Sequence, residues 1–193
     1  MALFHMTPDN YIVSKWSGGT TTQVAIAPEG AVYADRDFLW RISSASVDLD
    51  ESDFTTLPDY HRWISTLKGG MTLSHEGGEK IVLAPYEVHQ FDGGVDTHSW
   101  GRCTDFNLML RKGKCRGEIC GLHLSAGKGR TILGEEEDCG QTALLIFCGQ
   151  GACTVTEGTE CVLLHEGESV LAEGAVEITA ADAAALMIAR VWF

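Results

Sequence analysis

The chain has 193 residues, 45% of them hydrophobic, and a formal charge of -13. That length fits one compact domain or two small fused ones. The acidic balance excludes the basic footprint that nucleic acid or an anionic membrane surface demands, and no apolar run of about 20 residues offers a membrane span. Seven cysteines, an odd number without a framework spacing, and an N-terminus without a basic flank and apolar stretch point to a cytoplasmic chain with reduced thiols.

Twenty-two glycines and four prolines suit many short strands with tight turns. Alternation predicts strands at 10–14, 20–27, 38–47, 60–67, 70–75, 80–84, 87–91 and 103–111 in the first part of the chain. In the second part it predicts strands at 117–124, 129–133, 142–148, 151–156, 160–164, 168–172, 175–179 and 184–191. Cys148, Cys153 and Cys161 read as small core residues of these strands, and Cys115 and Cys120 carry only a weak metal signal. The run Glu135 to Asp138 reads as a solvated acidic loop.

Segments 64–93 and 145–174 align without a gap at an offset of 81 residues. Gly70, Gly77, Leu83, Glu87 and Gly93 match Gly151, Gly158, Leu164, Glu168 and Gly174. Self-similarity at a fixed period reports architecture, and two copies are too few for a solenoid. The expected fold is all-β, with two tandem cupin-like antiparallel barrels or sandwiches, a bicupin, made from an internal repeat. The basic, glycine-punctuated segment 112–118 places the division at residues 1–112 and 113–193, with N-terminal strands free to cross over into the other half.

Some chemistry is missing. Metal cupins place His-x-His on one strand face, and none of the seven histidines is separated from another by one residue. No bound metal or other cofactor is expected; if one were present, His61, His75 and His89 are the candidate ligands. No nucleophile elbow, phosphate loop or marked acid–base pair stands in the chain.

Other chemistry is concentrated before residue 112. Residues 16–23 read WSGGTTTQ, 38–47 read FLWRISSASV, and 105–111 read DFNLMLR. Strand alternation puts Arg41 and Ser43 on one face, and Asp105 and Asn107 on another, so the four can converge on a polar pocket. Thr21 and Gln23 share a strand face and can join them, and Trp16 and Trp40 offer apolar walls. Such a set suits a small carboxylate or amide ligand. It equally suits a structural network in which Arg41 pairs with Asp105.

With S-D-F-T-T-L-P and T-D-F-N-L-M-L-R, these segments resemble the HutD/Ves family of bicupins over residues 10–111. The first motif is shorter than the commoner W-K-N-G-G-G form, and Gln23 stands where many members have Glu. The resemblance implies a tandem cupin without established catalysis. It implies an intracellular regulator of histidine utilisation that binds a metabolite such as urocanate or formylglutamate, or a stress-related role. Carried over to this chain, it nominates Trp16, Thr21, Gln23, Trp40, Arg41, Ser43, Asp105 and Asn107 for a carboxylate or imidazole ligand. A non-catalytic binding protein leads. A metal-dependent cupin oxygenase or isomerase and an interaction module with a vestigial pocket are the alternatives, and a homodimer is compatible with each.

Overall fold

The computed structural model describes residues 3–134 and 140–193, so the acidic run at 135–138 and Cys139 lie outside the described residues. The chain divides into two compact units, 12–115 and a second made of 116–193 together with the first eleven residues. This differs from a division at 112 and 113. The reason is β1 (Phe4–Met6), which pairs with a strand of the C-terminal half.

The N-terminal unit contains β2 (Ile12–Trp16), β3 (Gly19–Ala27), β4 (Trp40–Val47), β5 (Glu51–Asp53), β6 (Tyr60–Lys68) and β7 (Met71–His75). It continues with β8 (Lys80–Leu83), β9 (His89–Asp92), β10 (Thr97–Trp100) and β11 (Cys103–Arg111). One sheet has the order β2-β3-β4-β11-β6-β9, the other β5-β10-β7-β8. Ile64, Phe91, Val47 and Cys103 from the first meet Met71, Leu73 and Leu83 from the second, so the core lies between the sheets.

The C-terminal unit contains β12 (Arg116–Leu124), β13 (Gly129–Ile132), β14 (Thr142–Gln150) and β15 (Ala152–Glu157), then β16 (Glu160–His165), β17 (Ser169–Ala172), β18 (Val176–Thr179) and β19 (Ala184–Trp192). Its sheets run β1-β17-β14-β19-β12 and β13-β18-β15-β16. Strands β4 to β11 therefore recur in order as β12 to β19. Strands β2 and β3 have no counterpart, and β1 is added at the β17 edge.

The repeat needs one correction. In the ungapped alignment Met71 falls on Ala152, but the structure matches Met71 to Cys153 and Leu73 to Val155. Met71 pairs with Leu83 in one hairpin and Cys153 with Leu164 in the other, and all four are buried. The first hairpin turns through Glu76 and Gly77, both left-handed; the second needs only two residues between Glu157 and Glu160. The turn is one residue shorter, so the strand before it slips by one. A slip of one would turn every side chain of the strand to the opposite face, so burial decides the register.

The glycines agree. Gly69 and Gly151 both have positive φ. A Cβ on either would stand 2.7 Å from the Arg102 carbonyl oxygen or 2.4 Å from that of Ala183. The structural partner of Gly151 is therefore Gly69 rather than Gly70. Strands β5 and β10 were not expected from the sequence, because their inward positions are hydroxyls rather than apolar groups: Thr97 and Ser99 are buried, and Ser99 donates to the Ser52 carbonyl at 3.0 Å. Cys148 and Cys153 are core residues, whereas Cys161 is exposed, and Cys115 is buried with its thiol against the Leu39 carbonyl.

Candidate functional site

Five neighbouring strands of the larger N-terminal sheet line a cavity of about 340 Å³ inside that unit. Alternation aims Arg41, Ser43, Ala45 and Val47 of β4 into it, with Arg62 of β6 and Asp105, Asn107 and Met109 of β11. Ser14, Trp16 and Thr21 come from β2 and β3. Tyr33, Phe54 and Thr55 come from the connections.

Arg41 is 5% exposed. Its Nε donates to Gln23 Oε1 at 2.8 Å, and Nη1 to Ser43 Oγ at 2.9 Å. Its Cζ lies 4.3 Å from the centre of the Tyr33 ring. Gln23 acts behind the wall by orienting Arg41, at a β-bulge between Gln23 and Ala25. A pairing of Arg41 with Asp105 is not what the structure shows: among the described residues no ion pair joins them.

Asp105 instead mends its own sheet. The β4–β11 ladder lacks pairs at Asp105 and Phe106, and the Ala45 N–H donates at 2.8 Å to Asp105 Oδ1. Ser44 Oγ donates to the Asp105 carbonyl at 2.7 Å. Burial lifts this carboxyl to about 6, against the lowering effect of the Ala45 amide, Asn107, Arg62 and Arg41.

Arg62 was not anticipated. Its Nη2 donates to Asn107 Oδ1 at 3.1 Å and its Nη1 to the Thr55 carbonyl at 3.3 Å. The rings of Phe54 and Phe91 lie 4.9 and 5.2 Å from its Cζ. Burial lowers its pKa to about 10, and it keeps its charge at neutral pH. Its Nε is buried and has no hydrogen-bond partner. Arg62 alternates with Tyr60, Ile64 and Thr66, all buried, and this period-two spacing was the signal available in the sequence.

Six of the eight nominated residues thus line the cavity, and Gln23 supports it. Trp40 does neither: it precedes Arg41 on β4 and so faces the opposite side of the sheet, where it is 4% exposed.

The three histidines do not converge. His75 Nε2 and His89 Nε2 are 2.9 Å apart, and His75 Nδ1 is 2.9 Å from Thr97 Oγ1. Thr97 gives its proton to the Val95 carbonyl, so His75 donates from Nδ1 and accepts at Nε2 from His89. Burial pulls both below the ordinary histidine value. His61 alternates with Arg62 on β6 and faces away from the interior that holds His89. Three of the four ring nitrogens of His75 and His89 are thus engaged, and among the described residues no group of three or more His, Cys, Asp or Glu is placed to hold an ion. The donor set does not fit a cupin metal centre.

Comparison with known proteins agrees with this architecture. A Protein Ves from Cronobacter sakazakii is 31% identical over 114 residues, covering 55% of this chain and 60% of that protein. The match therefore spans under two thirds of that relative. The fold resembles that of a conserved protein of unknown function from Pseudomonas aeruginosa PAO1, with TM-score 0.84, 24% identity and 100% of both chains covered. It also resembles HutD from Pseudomonas fluorescens SBW25, with TM-score 0.73, 20% identity, and 97% and 98% of the two chains covered. Among the described residues no helix is long and apolar enough to cross a membrane. The HutD family model matches residues 9–188, and the chain belongs to the HutD family.

Proposed function

We propose that the N-terminal cavity is a receptor for a small carboxylic acid and that the chain acts by binding rather than by catalysis. The observation that carries this reading is a charge imbalance inside the barrel. Two buried guanidinium groups, Arg41 and Arg62, face one buried carboxyl, and that carboxyl is already hydrogen-bonded to Ala45. An anion in the cavity supplies the missing charge. Charge-assisted bonds to a fixed guanidinium fork favour a carboxylate over a neutral amide. No nucleophile stands beside a base in the cavity lining, so the lining offers recognition but no evident reaction.

Family membership supports a cytoplasmic role in histidine utilisation, with the acid a metabolite of that process and occupancy read as a regulatory signal. A carboxylate carried on an imidazole falls within this class.

Calorimetric titration with small carboxylates, and with the corresponding carboxamides as the uncharged comparison, tests the reading. A carboxylate is expected to bind, and Arg62→Lys to weaken it about tenfold or more, because a point charge replaces a planar fork. Carboxylate binding that ignores both arginines would move the site elsewhere.

A further inference from the structure

Three aromatic side chains line the cavity, and two are already occupied. Tyr33 carries the Arg41 guanidinium on its ring and Phe54 carries that of Arg62. Among the described residues Trp16 has no cation or ring partner, and it is 41% exposed. It lies on the same face of β2 as Ser14, the other β2 residue that lines the cavity.

The position of the indole depends on its neighbour two residues along. A Cβ built on Gly18 would lie 2.1 Å from Trp16 Cζ3, 2.5 Å from Cη2 and 2.7 Å from Leu49 Cδ1. The benzo edge of the indole therefore rests where any other residue would place its side chain. Gly19 is bound by a different constraint, with φ of 150° and a Cβ position 1.8 Å from the Ser46 carbonyl oxygen. The two glycines of WSGG thus have separate tasks: Gly19 lets β3 approach β4, and Gly18 seats Trp16.

We infer that Trp16 is the specificity-determining wall of the cavity, that Gly18 is its positioning residue, and that the acid recognised carries a flat π-system beside its carboxylate. This rests on the carboxylate reading above. The arginines take the charge, and the free indole face takes the adjoining planar group. A stacked aromatic pair adds about threefold to tenfold in affinity beyond area burial.

Benzoate and cyclohexanecarboxylate, similar in size and equal in charge, separate the two levels of the claim by calorimetric titration. The unmodified chain is expected to prefer benzoate by about threefold to tenfold. Trp16→Leu is expected to abolish that preference, with benzoate losing more affinity than cyclohexanecarboxylate, and Gly18→Ala to do the same by displacing the indole. Indole fluorescence quenched by benzoate in the unmodified chain, and less so in Gly18→Ala, reports the displacement, with Trp16→Leu as the blank for the other four tryptophans. Equal affinity for both acids, weakened alike by Arg41→Ala, would overturn the flat-ligand inference and leave the carboxylate reading standing. So would a benzoate preference that survives Trp16→Leu. Binding of neither acid would overturn both.

Discussion

The two barrels share a topology and differ inside. Where the N-terminal barrel has Arg62, Asp105 and Asn107, the strand equivalences place Leu144, Leu186 and Ile188 in the C-terminal one, all essentially inaccessible to solvent. The position of Arg41 is taken by Glu118, that of Met109 by Arg190, and these two form an ion pair at 2.9 Å. The C-terminal interior is filled by aliphatic side chains and two cysteines. One copy of the repeat is thus stabilised by apolar burial, while the other gives up part of that core for a buried polar network. Such a network costs stability unless every member is satisfied, and Arg62 Nε is not.

The most severe way to break this contrast is to write the polar network into the apolar barrel. Leu186→Asp puts at β19 the group that Asp105 provides on β11, but with no guanidinium beside it. A cost of about 3–5 kcal/mol or more is expected, read as a collapse of the melting temperature or loss of soluble protein. A mild effect would mean that the C-terminal interior admits water.

The next effect is in pH. Asp105 titrates at about 6 in the folded chain, and an ordinary unfolded aspartate near ~3.9. Between these values the folded chain holds the proton more tightly. The contribution of this group is fully present below about pH 4 and is lost as pH rises through about 6. Two units correspond to about 3 kcal/mol. Asp105→Asn should flatten this part of the stability profile measured by melting from pH 4 to 7. It should also remove the strengthening of carboxylate binding expected below pH 6.

Arg41→Ala is expected to weaken carboxylate binding about tenfold to a hundredfold, through the loss of a desolvated charge-assisted bond worth ~1.5–3 kcal/mol. Arg41→Lys should lose much of the same affinity. Glu118→Ala, at the equivalent place in the other barrel, should leave binding unchanged. If Arg41→Ala melts early yet binds normally once folded, Arg41 is structural and recognition passes to Thr21, Asn107 and Arg62.

The smallest effect sharpens the register of the repeat. Gly69→Ala and Gly151→Ala should each cost at least about 1–2 kcal/mol, since both have positive φ and a carbonyl oxygen close to the added methyl. Gly70→Ala, with ordinary φ and its nearest neighbour 3.4 Å away, should cost less than either. Equal costs at Gly70 and Gly151 would restore the ungapped alignment.

Much of this architecture was legible in the sequence because glycine turns and apolar alternation report sheet geometry directly. The convergence of Arg41, Ser43, Asp105 and Asn107 followed from alternation alone, since β4 and β11 are adjacent and each shows one face to the interior. Trp40 was the residue that the same rule should have removed. Arg62 escaped because an arginine within YHRWISTLK reads as a solvent-facing residue until the flanking strands β9 and β11 are known. Tyr33 and Phe54 escaped because connections carry no periodicity. The one-residue slip escaped because β8, β9 and β11 keep the 81-residue spacing, so an ungapped alignment anchored on them carries β6 and β7 one residue out of register.

Arg62 illustrates what it means to build a binding group into the middle of a strand. Its guanidinium is held by Phe54, Phe91, Asn107 and the Thr55 carbonyl before any ligand arrives. The side-chain entropy of a long arginine is therefore surrendered during folding and not again on binding. Recognition and folding then share the same side chains. Substitutions at Arg62, Asn107 or Asp105 that retune ligand preference will also shift the melting temperature, whereas Trp16, at the rim, can change the preference with little thermal cost. New selectivity is thus most accessible to this chain at the mouth of the cavity, with the charged floor kept constant.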